Sequence, residues 1–173
     1  MPYEIPSRFA GRFRQVTIFG PNDQFDHRGM VLRGVCELEY QCARLLYAFF
    51  RTRVPKLSWE ATEDDLFSEN GLLTSLSRRV KVATYLGLLS DDEARDLRIL
   101  STLRNMYAHG RERSQFNEDP KASAAIRSMG LFKNSQTLFA GYDEQGKFLL
   151  CCHALGERID ERRKQIEAAK SAA

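Results

Sequence analysis

The chain has 173 residues, 43% hydrophobic and 28% charged, which suits one well-buried core and an ordinary soluble globular protein. A net charge of +3 is too small for a nucleic-acid coat, although a pI of ≈ 8.7 leaves room for a local basic patch. No apolar run approaches the ~20 residues of a membrane span, and Met1-Pro2-Tyr3-Glu4-Ile5-Pro6 lacks the apolar stretch of a signal peptide, so a cytoplasmic protein without membrane contact is expected.

Residues 1–20 form an N-terminal segment in which Phe9, Phe13 and Val16 predict a short amphipathic helix from about Ser7. Gly20-Pro21-Asn22-Asp23 is a turn and a helix start, and one helical domain is expected over 21–170. Val31, Leu32, Val35, Leu38, Cys42, Leu45, Leu46 and Phe49 keep one wide apolar face to about Arg51. Arg33, Glu37, Gln41 and Arg44 occupy much of the other face, so this long helix should be the backbone of the core. Arg51 to Ser68, with Pro55, Trp59 and Glu63-Asp64-Asp65, is read as a break. Trp59 is expected to anchor it to the core, with ligand stacking as the alternative. Leu72 to Leu89 returns to helix, and Gly87-Leu88-Leu89-Ser90 links it tightly to the next, giving an antiparallel hairpin.

That next helix, Asp91 to His109, opens on Ser90 and Glu93, a capping box, with Asp91 and Asp92 where the helix dipole favours negative charge. Ala94, Leu97, Leu100, Ser101, Arg104 and Ala108 recur at helical spacing as a stripe toward the core. Gly110 to Ser114 is a charged loop. Asp119-Pro120 starts a helix running to Gly130, 142–146 is a turn, and a final helix spans Lys147 to about Lys170. Its inward residues are Phe148, Leu149, Cys152, Leu155, Ile159 and Ile166, and 171–173 is a frayed tail. The fold class is all-α, a single-domain helical bundle built on a long helix and a helix hairpin. Cys36, Cys42, Cys151 and Cys152 include no C-x-x-C pair and are expected as reduced core thiols. Adjacent helical positions diverge by about 100°, so Cys151-Cys152-His153 is a poor chelator, and no metal or cofactor is expected.

Gly71-Leu72-Leu73-Thr74-Ser75-Leu76-Ser77-Arg78-Arg79-Val80, continued by Ala83 and Leu86-Gly87-Leu88-Leu89-Ser90, resembles the mannitol-operon repressor (MtlR) family. Asp96-Leu97-Arg98 and Leu103-Arg104-Asn105-Met106-Tyr107-Ala108-His109 extend the likeness, as do Asp26-His27-Arg28-Gly29 and Leu38-Glu39-Tyr40-Gln41-Cys42. The resemblance covers roughly residues 25–165 and is specific over 71–109, with Glu39 departing from the more usual aspartate. It implies a helical transcriptional regulator. No helix–turn–helix with an exposed basic recognition helix is evident, so the repressor role it implies would run through a protein partner at least as readily as through direct operator DNA binding. Arg78 and Arg79 are the nucleic-acid-contacting candidates on the hairpin.

Arg104-Asn105-x-x-x-His109 is similar to the R-polar-x(3–5)-H motif of the HEPN superfamily, helical domains that often dimerise and include metal-independent endoribonucleases. The resemblance implies a homodimer and an RNA substrate. A neutral imidazole at His109 could move the proton of an attacking 2′-hydroxyl, a guanidinium at Arg104 could brace the phosphate, and Asn105 could orient it. Tyr107, Arg111 and Arg113 would help hold RNA. Positions i and i+5 lie about 140° apart around a helix, so Arg104 and His109 converge only if the helix unwinds or two protomers share a cleft. The structural alternative pairs Arg104 with Asp96, Glu37 or Glu39 and leaves His109 capping the last carbonyls.

Overall fold

The computed structural model describes residues 27–53, 59–68, 70–109, 116, 118–133 and 141–171. The segment 1–20, with the helix expected from Ser7, and residues 172–173 lie outside them. Among the described residues the chain is all-α, with α1 (His27–Arg53), α2 (Trp59–Phe67), α3 (Leu76–Tyr85), α4 (Asp91–His109), α5 (Pro120–Ser128), α6 (Gly130–Lys133) and α7 (Glu144–Ser171).

Local chemistry sets most of the boundaries. The Ser75 hydroxyl accepts the Arg78 N–H at 3.4 Å and starts α3. Gly87 ends it at φ 69°, a left-handed conformation that costs a side chain its Cβ clearance. The Leu88 N–H then reaches the Ala83 carbonyl at 2.8 Å and the Gly87 N–H the Thr84 carbonyl at 3.0 Å, a Schellman closure. Ser90 and Glu93 form the expected capping box: the Ser90 N–H donates to Glu93 Oε2 at 2.9 Å, and the Glu93 N–H to Ser90 Oγ at 3.3 Å. Asp119 caps α5 ahead of Pro120 as expected, accepting from the Lys121 and Ala122 N–H groups.

Several boundaries differ from the sequence reading: α3 stops at Tyr85 rather than Leu89, and α5 at Ser128 rather than Gly130. The stretch taken as a break holds α2, because Trp59 is buried against Tyr47 at 5.1 Å and Phe67 lies 5.8 Å from the same ring. Tertiary packing there outweighs the acidic run. α3 begins later than Leu72, since the Leu72 and Leu73 N–H groups bond back to the Asp65 and Leu66 carbonyls at 2.9 and 2.8 Å. α7 begins at Glu144 because Asp143 Oδ1 accepts the Gly146 N–H at 2.7 Å.

The core is built on α1, α4 and α7. A Cβ on Gly34 would stand 3.2 Å from Phe148 and 3.3 Å from Cys152 Sγ, so α1 and α7 pack closely there. One turn further along each helix, Gly156 faces Leu38, so the two helices run in the same direction. α4 runs against both: Arg28 near the start of α1 donates to the Ala108 carbonyl near the end of α4 at 3.1 Å. Val31, Val35, Leu38, Leu45, Leu97, Leu100, Leu103, Phe148, Leu155 and Ile159 fill the space between them. Cys42 and Cys151 belong to this core and Cys152 borders it, while Cys36 is exposed; all four are free thiols. Burial pushes the Cys42 thiol up to about 12 and raises Cys151 and Cys152 as well, which leaves all three protonated and unreactive.

Ion pairs at two carboxylates tie α7 down. Glu93, 2% exposed, meets Arg162 at 2.9 Å and Arg158 at 3.8 Å. Glu144 accepts from Arg127 at 2.7 and 3.0 Å, and this hydrogen bond holds its carboxyl below the ordinary 4.5. A carboxyl depressed in the folded state contributes stability above its unfolded pKa and loses it as pH falls. The wild type should therefore lose this contribution in acid denaturation below about pH 4.5, and Arg127→Ala should flatten that limb of the curve. Glu93→Ala should destabilise by about 2 kcal/mol, since it takes the carboxylate from the half-buried Arg158 and Arg162 as well as removing the cap. Ser90→Ala, which removes only the cap, should cost about 1 kcal/mol by urea denaturation.

Candidate functional site

The last turn and a half of α4 carries the residues singled out in the sequence, and the bundle deals them to different environments. Arg104 leans toward α1, where its Nη1 lies 3.5 Å from Glu39 Oε2. Of the three partners open to it, Glu39 is the one it meets. Glu39 is shared: its Oε1 lies 3.4 Å from Arg79 Nη1 of α3. Arg79 also donates to the Leu73 carbonyl at 2.6 Å and the Glu39 carbonyl at 3.2 Å. Arg79 therefore ties the start of the hairpin to α1, and its donors face inward rather than toward a nucleic acid. Arg78, beside it, is exposed.

Asp96 has a different role from the one weighed for it. It is wholly buried, and its two oxygens accept the Gly130 N–H at 2.8 Å and the Leu131 N–H at 3.2 Å, which starts α6. Burial raises its pKa, and the two backbone donors and Arg95 partly offset that rise. Glu37 accepts instead from Gln41 at 2.7 Å.

Tyr107 requires a correction. Its ring is buried at 5% exposure, 5.5 Å from Phe116, which in turn lies 5.4 Å from Phe148. An aromatic at this depth packs the core, so the surface role of holding RNA does not stand. The core stripe of α4 runs through Leu103 and Tyr107, while Ser101, Arg104 and Ala108 border it. The sequence stripe was displaced by roughly one position because apolar and small residues alternate with polar ones near the helix end.

Asn105 and His109 are exposed. Four residues apart, they share one face, which Arg98 and Thr102 extend along the helix. Arg104 lies about 140° around from His109. One chain thus offers an amide and an imidazole on an open face, with the guanidinium engaged elsewhere. Arg111 and Arg113 lie outside the described residues.

Sequence reasoning missed the contacts that hold this helix end. The Ala108 carbonyl is capped by Arg28 from α1, a role weighed for His109. His27 Nδ1 accepts the Phe116 N–H at 3.3 Å, with the two rings edge to face at 5.1 Å. The need for a cation at a helix C-terminus is legible in sequence, but a donor 80 positions away is not.

A concave feature lies between α1 and α7, a groove of ≈ 530 Å³. The α1 wall carries Glu37, Gln41 and Arg44, and the α7 wall carries Glu157, Asp160 and Arg163. No group of three or more His, Cys, Asp and Glu residues among the described residues is placed to hold a metal ion. No described helix is long and apolar enough to cross a membrane. The chain matches no family model, no curated protein and no solved structure.

The two neighbouring arginines of α3 should separate cleanly by mutation. Arg79→Ala removes donors to the Leu73 and Glu39 carbonyls and should lower stability by about 1–2 kcal/mol. Arg78→Ala should stay within about 0.5 kcal/mol of the wild type in the same urea titration.

Proposed function

We propose that this chain is a regulator of the mannitol-operon repressor kind, acting through contacts of its helical surface with a protein or nucleic-acid partner rather than through a catalytic centre. The observation that carries the reading is the Arg104–Glu39 pair at 3.5 Å. A guanidinium beside a carboxylate has part of its charge offset, and it faces α1 while His109 faces solvent. Phosphoryl chemistry needs both groups on one phosphate, and a single chain keeps them on different sides of a helix. The surface is suited to contact: Arg78 and Lys81 are exposed on α3, and the Lys81 ammonium lies 5.8 Å from the ring of the exposed Tyr85.

A second reading is favoured by the exposure of Asn105 and His109 at a helix end, with Arg104 still 36% exposed at the side chain. Two copies related by a two-fold axis could bring these groups into one cleft, as a metal-independent endoribonuclease of the HEPN kind would require. Glu39 would then have to release Arg104 or share it with the phosphate.

Incubation of the purified protein with structured and single-stranded RNA in EDTA separates the two. The regulator reading expects intact RNA. Cleavage in EDTA that disappears in both Arg104→Ala and His109→Ala would replace it with the ribonuclease. A gel shift on genomic DNA fragments at 150 mM salt, the order at which non-specific contacts are already weak, then tests direct operator contact. A shift weakened by Arg78→Ala places the contact on α3, and no shift assigns the regulation to a protein partner.

A further inference from the structure

The groove between α1 and α7 has a direction. Because the two helices run the same way, their charged residues fall in the same order on both walls. Glu37 and Glu157 stand toward one end, Gln41 and Asp160 in the middle, and Arg44 and Arg163 toward the other. From Glu37 to Arg44 is seven residues of helix, about 10 Å at 1.5 Å per residue. Leu38, Leu149 and Cys152 give the space between the walls an apolar floor. Arg33 and His153 line the groove beyond the acidic end.

Two charges of this lining are not matched among the described residues. Arg44 has the Tyr40 ring beside it at 5.6 Å but no carboxylate among the described residues, and Glu157 has no cation there. Arg163 and Asp160, by contrast, are paired with each other at 2.6 Å, and Glu167 also meets Arg163. Between the unmatched ends, Gln41 donates its amide to Glu37, while its Oε1 is buried without a hydrogen-bond partner. A buried acceptor left without a donor is costly, and a small rotation of the amide would present it to a donor in the groove.

Gly156 supplies a separate argument. It sits in the interior of a 28-residue helix, where glycine is a poor helix former. Packing does not demand it: a Cβ there would meet only Leu38, at an ordinary 3.8 Å. Gly34, by contrast, is required by the close approach of Phe148 and Cys152. What the missing side chain at Gly156 preserves is the open volume of the groove it lines.

We propose that this groove binds a short peptide with both termini free, its ammonium toward Glu37 and Glu157 and its carboxylate toward Arg44. An extended chain spans about 3.3–3.6 Å per residue, so two or three residues cover the distance between the charged ends. A backbone N–H satisfies Gln41 Oε1, and small aliphatic side chains lie on Leu38 and Leu149. The proposal stands independently of the regulatory reading, for which it would supply an effector site.

The test is calorimetric titration of the full chain with alanyl-leucyl-alanine, its N-acetylated form and its C-amidated form. Saturable binding of the free tripeptide is expected, weakened at least about tenfold by either modification, as loss of a charge-assisted contact implies. Arg44→Gln should abolish the preference for the free carboxylate, and Glu157→Gln should reduce the preference for the free ammonium. Gly156→Leu should fill the groove and remove binding; circular dichroism and a thermal melt at least equal to the wild type show that the variant remains folded. Absence of saturable binding by the wild type overturns the proposal. So does equal binding of the three ligands, or undiminished binding by folded Gly156→Leu. If Gly156→Leu fails to fold, the Arg44→Gln and Glu157→Gln preferences decide the matter alone.

Discussion

Glu93 is the point on which the bundle depends. One carboxylate closes the capping box that starts α4 and, at 2% exposure, receives Arg158 and Arg162 from the far half of α7. A buried ion pair is not by itself a large source of stability, because desolvation takes back much of the attraction. Its value here is positional. A carboxylate whose direction is fixed by its own helix cap can be met by α7 in only one register. That register also puts Gly34 against Cys152 and Leu38 against Gly156.

Other polar anchors follow the same pattern of one group serving two elements. Asp96 is spent on the start of α6, and Glu39 divides itself between Arg79 and Arg104. The end of α4, which looked in sequence like a concentration of reactive groups, is therefore partly consumed by the architecture. Arg104 is held toward α1, Tyr107 fills the core, and Arg28 supplies the capping charge. Of Arg104, Asn105, Tyr107 and His109, Asn105 and His109 alone remain on an open face. That division is why the contact-making reading is preferred, and why catalysis would need a second copy of the chain.

What was legible in the sequence was local. The Ser90–Glu93 box, the Asp119-Pro120 start and the apolar face of α1 all depend on residues within a turn or two, and each appears where expected. The all-α class follows from them. What was not legible depended on contacts between distant segments. α2 exists because Trp59 and Phe67 find Tyr47, and Asp143 was passed over as a cap because it sits inside a run that also reads as a turn. Arg33, Glu37, Gln41 and Arg44 read as a solvated face, and only the placement of α7 beside them makes that face the wall of a groove.

The parallel pairing of α1 with α7 also bears on how the chain reaches this state. Residues that touch across it, such as Gly34 and Cys152, are separated by more than a hundred positions, while α3 and α4 are joined by a tight link. Loop-closure entropy favours forming the hairpin first and leaves the α1–α7 seam among the late contacts. Until α7 docks, Glu93 lacks its arginines and the apolar face of α1 remains open to solvent. A chain arrested at that point during synthesis would present an unsatisfied carboxylate within a greasy surface, the kind of species that chaperones retain and proteases remove.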